Sequence, residues 1–304
     1  MQSLKPKCFR LFLLYNSCPS AKNIRTNFLR LGGTSVKKTI ITCLSVLMMF
    51  GLCLGTAQAV SNVRYDWGFN KGKNEEPADA GPKYNAIVEK YGAIYKVETT
   101  KKEIYLTFDN GYENGYTEKV LDVLKEHKVP AAFFVTGHYL KTAEPLVKRM
   151  VKEGHIIGNH SWNHPDFTQV SDDKLKEELD TVKQKTAELT GQKEMKYMRP
   201  PRGIFSERTL QLCNDLGYKH ILWSVAFLDW DVNRQQGWKY SYDNIMAQVH
   251  PGAIILLHSV SRDNAEALGK AITDLKKRGY TFKSLDELPA IKAPEKKEPN
   301  DLKS

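Results

Sequence analysis

Glu103-Ile104-Tyr105-Leu106-Thr107-Phe108-Asp109-Asn110-Gly111 is a short apolar run with aromatic and β-branched members, closed by two turn-forming polar residues and a glycine. It reads as a buried strand over 103–108 that opens into the loop Tyr112-Glu113-Asn114-Gly115. After it, Val120, Leu121 and Leu124 share one face of a helix over 117–127. A strand over 131–135, a helix over 144–153 and a strand over 156–159 follow. A long helix over 172–190 starts at Ser171 and stops at Gly191, an N-cap and a left-handed stop. Beyond it come a strand at 196–198, a helix over 206–216, a strand over 220–225, a helix near 242–249 and a last core strand over 253–257. An amphipathic helix over 264–278 and a short strand over 280–283 end the pattern. Alternation of this kind gives an α/β fold with parallel strands inside and helices outside. An open sheet and a barrel-like closure both fit, and the strand count favours the barrel.

Charge and cysteine placement speak to location rather than to chemistry. The chain has 304 residues and a formal net charge of +10, of which the first 59 residues supply eight through lysine and arginine with no acid, leaving +2 for the rest. That balance excludes the electrostatic footprint of a nucleic-acid partner. Lys37 and Lys38, the apolar stretch 39–55 and the small-x-small triplet Ala57-Gln58-Ala59 read as a secretory signal cleaved before Val60, a retained anchor being the alternative. The mixed sequence before it suggests a translation start nearer Val36. Residues 60–102 read as an arm laid against the domain, partly mobile, 103–290 as the catalytic domain, and 291–304 as a Lys-, Glu- and Pro-rich disordered tail. Four of the five cysteines precede the cleavage site, so Cys213, set among Leu210, Leu212 and Leu216, reads as a buried structural thiol.

In a parallel fold, ligands bind at the C-terminal ends of the strands. Asp109, His160, Arg199, Asp229 and His258 all lie just after predicted strands, so five separated positions are expected on one face. His160 and His164 are four apart and would converge on one metal if their segment were a helical turn; a plain surface turn is the alternative. Asp109 could equally be a turn-former. Met198-Arg199-Pro200-Pro201-Arg202-Gly203 is a stiff loop with two guanidinium groups, of which Arg202 suits a surface ion pair better than Arg199 does. Phe227-Leu228-Asp229-Trp230 sets an acid beside an aromatic wall, and His258 ends a buried strand, where a satisfied core histidine is the usual alternative.

In order and wording these five segments resemble the motifs of the NodB-type polysaccharide deacetylases, carbohydrate esterase family four, from about Ile104 to Phe282. The stretches around Thr107–Thr117, Phe133–His138, Gly154–Ser161, Arg199–Gly203 and His250–His258 are closer still to the delta-lactam-biosynthetic de-N-acetylases of spore-forming bacteria. The resemblance implies a distorted (β/α) barrel and a metal-assisted hydrolase. It implies that Asp109 is the base that deprotonates the attacking water, that Arg199 orients it, and that His160 and His164 hold a divalent ion (zinc, manganese, magnesium or cobalt). It further implies that the Arg202 backbone N–H stabilises the oxyanion, that His258 is the acid held charged by Asp229, and that Trp230 and Leu256 line the acetyl pocket. Asn110 stands where most of the family carries a second metal-binding acid, so cation affinity is expected to fall.

The expected reaction is N-deacetylation of N-acetylmuramic acid in peptidoglycan lacking stem peptide, by an exported monomer, with Arg202 pairing the lactyl carboxylate. The freed amine would lead to muramic delta-lactam in spore cortex. Deacetylation of N-acetylglucosamine in peptidoglycan or chitin oligomers, and non-catalytic binding of wall glycan, are the rival readings.

Overall fold

The computed structural model describes residues 60–289. The export segment, its cleavage triplet, the alternative start and the tail lie outside the described residues. In chain order the elements are β1 (Tyr65–Asp66), α1 (Gly81–Tyr91), β2 (Glu103–Asn110), α2 (Thr117–His127), β3 (Ala131–Val135), α3 (Gly137–Thr142), α4 (Glu144–Lys152), β4 (Ile156–Asn159), α5 (Asp172–Thr190), β5 (Tyr197–Met198), β6 (Ile204–Phe205), α6 (Glu207–Asp215), β7 (Lys219–His220), α7 (Trp238–Gln248), β8 (Ile254–His258), α8 (Arg262–Lys277) and β9 (Thr281–Lys283).

The caps expected from sequence form. Ser171 accepts from the Lys174 N–H at the start of α5, and Gly191 ends it at φ 78°. Ser206 and Thr209 cap α6 reciprocally. Two helices went unread. α3 starts from Thr136, whose hydroxyl accepts from the Tyr139 N–H, and its six residues are too few to show a period. α1 lies in the arm, with a proline in its first turn and Gly92 at φ 63° after it.

The strand order β7-β5-β4-β3-β2-β8 is parallel throughout, and β9 joins the first residues of β2. This sheet curls into a half-barrel wrapped by helices. Phe108, Phe133, Val135 and Leu257 face outward onto Val120, Leu121 and Leu124 of α2 and onto α8. Each such fully buried side chain contributes roughly 1.5–3 kcal/mol. The strand expected over 220–225 stops at His220. Past it, Ile221 and Val225 make single bridges to Ile94 and Ile255, and these close the gap towards β8. The Ile221 and Leu222 carbonyls accept from the Arg199 side chain instead, so the ladder cannot continue. Cys213 is buried, and burial pushes its thiol up, which makes it inert.

The arm is built into the domain. β1 pairs antiparallel with β6, and Trp67 donates from Nε1 to the Trp223 carbonyl (3.0 Å) and from its backbone N–H to Gly203 (2.9 Å). Val97 N–H donates to Gly252, whose own N–H donates to Glu103. Gly252 sits at φ 77°, and a methyl there would lie 1.9 Å from the Val97 carbonyl oxygen. Gly252→Ala is therefore expected to lower stability by about 3 kcal/mol, from left-handed strain plus overpacking, as measured by the denaturant midpoint.

Candidate active site

Alternation along β2 turns Thr107 and Asp109 to the inside of the half-barrel, opposite Phe108. The residue that meets them is Arg199, which follows β5 and is fully buried. Its Nη1 donates to Asp109 Oδ1 (2.6 Å), Nη2 to Thr107 Oγ1 (2.8 Å) and Nε to the Ile221 carbonyl (2.9 Å). Its guanidinium stacks 4.3 Å above the Phe134 ring. Burial alone would push the Asp109 carboxyl up. The Arg199 charge, with the His160 and His258 imidazoles, outweighs it and holds the group below the usual carboxylate range.

His160 and His164 do meet, though not on a helical turn. Ser161 and His164 take φ 65° and 57°, and the irregular loop they make brings the two Nε2 atoms to 3.2 Å. The His160 Nδ1–H donates to the Arg199 carbonyl (2.9 Å), which leaves the Nε2 lone pair facing its partner and lying 3.5 Å from Asp109 Oδ2. Burial lowers both imidazoles, His164 to about 3, so both are neutral and available as ligands at neutral pH. Sequence reasoning missed what shapes this loop. Buried Glu178 of α5 accepts from the Asn163 backbone N–H (2.6 Å) and its side chain (2.7 Å), and Gly137 leaves room for Trp162, which a methyl would meet at 2.2 Å. An acid in the middle of a long amphipathic helix carries no sequence signal of such a role.

Asn110 is fully buried and does not line the open cleft. Its Nδ2 donates to Ser259 Oγ (2.7 Å), and its Oδ1 has no hydrogen-bond partner. Among the described residues no three His, Cys, Asp or Glu side chains are grouped to hold a metal ion. Asn110 follows Asp109 on β2, so its side chain faces the helix side of the sheet while Asp109 faces the cleft.

On the other side, β8 pairs with β2 so that His258 stands directly beside Asp109. Asp229 fixes it: Oδ1 lies 2.8 Å from Nδ1 and Oδ2 accepts the His258 backbone N–H (2.8 Å). Asn264 of α8, unread in the sequence, donates to the same carboxylate and to the His258 carbonyl. Burial would lower the imidazole, but Asp229 raises it above its ordinary value and leaves Nε2 as the nitrogen free for substrate. Asp109, His160, His164 and His258 line an open cleft of about 1070 Å³ together with Tyr112, Lys141, Trp162, Arg202, Trp223, Trp230 and Leu256. Trp230 is 53% exposed, its ring 5.7 Å from that of His258. Arg202, at φ 58°, makes no ion pair with a carboxylate among the described residues, against its reading as half of a surface pair.

The polysaccharide deacetylase family profile matches residues 96–221. Over 248 residues the chain is 56% identical to the peptidoglycan-N-acetylmuramic acid deacetylase PdaA of Bacillus subtilis, covering 82% of this chain and 94% of that one. The chain belongs to the polysaccharide deacetylase family. The solved structure of Bacillus subtilis PdaA, a family 4 carbohydrate esterase, superposes with a TM-score of 0.74 at 58% identity, covering 75% of this chain and 98% of that one. A peptidoglycan-N-acetylglucosamine deacetylase of Bacillus cereus is 33% identical over 205 residues, covering 66% of this chain and 73% of that one. The distorted barrel expected from the motifs is the fold of this deacetylase.

Two outcomes follow for this polysaccharide deacetylase. Arg199→Met leaves Asp109 buried without its countercharge and is expected to cost about 3–5 kcal/mol, part of which Asp109→Asn recovers in the same chain. Because the folded Asp109 value lies below the unfolded one, its contribution is present above the ordinary carboxylate range and is lost as pH falls through the folded value. Asp229→Asn should move the alkaline fall of kcat/KM to lower pH, since His258 then loses the charge that keeps it protonated.

Proposed function

We propose that this deacetylase hydrolyses the N-acetyl group of N-acetylmuramic acid in peptidoglycan whose stem peptide has been removed, releasing acetate. The observation that carries the chemistry is the placement of Asp109 and His258 on adjacent strands, opposite each other in register at the floor of one cleft. Asp109, kept ionised by Arg199, takes a proton from the attacking water. His258, kept charged by Asp229, gives one from Nε2 to the leaving amine. The Arg202 backbone N–H faces the developing oxyanion. Trp230 and Leu256 enclose the acetyl methyl.

The chemistry of the donors fits a divalent cation: two neutral imidazole nitrogens lie 3.2 Å apart, with Asp109 Oδ2 3.5 Å from that of His160. His160 and His164, without Asn110, would hold zinc, manganese, magnesium or cobalt, which when bound supplies Lewis-acid polarisation of the acetamide carbonyl. With two uncharged ligands and no acid among them, binding is weaker than at an acid-bearing site.

The muramic substrate is supported by the identity to the Bacillus subtilis N-acetylmuramic acid deacetylase and by the Arg202 guanidinium, which lines the cleft without a carboxylate partner among the described residues. A lactyl carboxylate would complete that pair. The freed amine can then close on the same carboxylate to give muramic delta-lactam in spore cortex. The protein acts outside the cytoplasm as a monomer, exported by its basic and apolar N-terminal signal.

Acetate release from peptide-free glycan, followed by mass spectrometry of the digested strand, tests the reading. Asp109→Asn should reduce kcat by about 10²–10⁴. Arg202→Ala should abolish release from muramic residues while sparing N-acetylglucosamine oligomers. Acetyl loss from glucosamine alone would assign the rival substrate, and no release at all would leave a glycan-binding protein.

A further inference from the structure

The cleft does not end at His258. Val260, two residues further on, lines both the cleft and a smaller cavity of about 200 Å³ beside it. Three segments of chain reach from one into the other: Tyr112, Trp230 and His258 line the cleft, while Tyr116, Asn233 and Arg262 line the cavity. Independent small-molecule sites usually take about 300–1,000 Å³, so a space of this size continues the cleft rather than standing apart from it.

Its walls are tied together by the protein's own bonds. Asn114 Nδ2 donates to the Val260 carbonyl (3.0 Å). Buried Asp263 accepts from the Gln236 and Gly237 backbone N–H groups (2.6 and 2.7 Å), and Gln235 Oε1 accepts from Ser261 Oγ (2.9 Å), so the loop after Trp230 is strapped to the start of α8. Ser261 caps that helix and Arg262 is its first residue. A cation in a first turn meets the positive end of the helix dipole, so nothing in α8 itself calls for an arginine there. The one carboxylate within 4 Å of it among the described residues is that of Asp263, whose Oδ1 lies 3.6 Å from Nη2, beyond hydrogen-bond range. The Arg262 guanidinium, the Tyr116 hydroxyl and the Asn233 side-chain amide can all donate, and no acid lines the cavity.

We propose that this cavity binds the lactyl carboxylate of a second muramic residue on the same strand, with Arg262 as the residue that reads it. This rests on the muramic reading given under Proposed function. A glycan without stem peptides bears a free carboxylate on every muramic residue, whereas an attached peptide turns that carboxylate into an uncharged amide. Arg202 lines the cleft and Arg262 lies past Val260, so one strand can engage the two guanidinium groups through different sugars. A carboxylate matches both the charge and the fork of a guanidinium, and Tyr116 and Asn233 offer donors to its remaining lone pairs. The protein then selects a run of bare muramic residues, not a single one.

Acetate release from a disaccharide with one muramic residue and from a hexasaccharide with three tests this. The natural chain should show a KM about tenfold lower for the hexasaccharide, the worth of one charge-assisted hydrogen bond. Arg262→Gln should remove that preference, chiefly by raising the hexasaccharide KM, and Arg262→Lys should keep part of it. The thermal midpoint of Arg262→Gln should match that of the natural chain, because the side chain is exposed. No preference in the natural chain, or a preference that survives in Arg262→Gln, overturns the proposal. So does an equal loss on chitohexaose, which carries no carboxylate and would show that the cavity reads hydroxyl groups. If chitohexaose alone releases acetate, the muramic reading fails, and titration calorimetry of the muramic hexasaccharide then judges the cavity separately. Weaker binding to Arg262→Gln than to the natural chain supports it, and equal binding overturns it.

Discussion

The buried contact between Arg199 and Asp109 organises this molecule more than any other. An arginine with no solvent exposure carries a desolvation cost of several kcal/mol, which is offset only if every donor is used. Here the guanidinium meets Asp109, Thr107, Ile221 and Leu222 and stacks on Phe134. The guanidinium that keeps Asp109 ionised through Nη1 therefore also takes, through Nε and Nη2, the carbonyls that would have continued β7. The charge state of Asp109 and the distortion of the barrel have one cause.

Around that contact, each functional side chain is held by a residue one step further from the cleft. Asp229 and Asn264 fix His258, the Arg199 carbonyl fixes the tautomer of His160, and Glu178 fixes the loop that carries His164. The arm adds a further support, since Trp67 bonds both to Gly203 beside Arg202 and to Trp223 in the cleft wall. Preorganised groups of this kind need no reorganisation as charge develops.

Strands and helices with a strong period were legible from the residues. The expected helix over 117–127, strand over 131–135 and helix over 172–190 coincide with α2, β3 and α5. Where the reading fell short, a tertiary contact had overridden the local pattern. The strand past His220 is ended by a side chain 22 positions earlier in the chain, and α3 is too short to announce itself. At the site, Asp109, His160, Arg199 and His258 could be found because each lies at or just after the C-terminal end of a strand, and parallel topology gathers such positions at one end; His164 and Asp229 lie further along the loops that follow β4 and β7. Glu178, Asn264, Thr107 and Ser259 could not, because their roles depend on which partner the fold brings to them.

Among the described residues the single cysteine, Cys213, is shut inside the core. The domain's integrity therefore rests on packing, on glycines such as Gly252 that let the backbone cross closely, and on its buried polar contacts. With one thiol, the described domain can form no internal disulfide, so its fold is indifferent to redox poise. Reducing and oxidising buffers would leave this domain with the same stability.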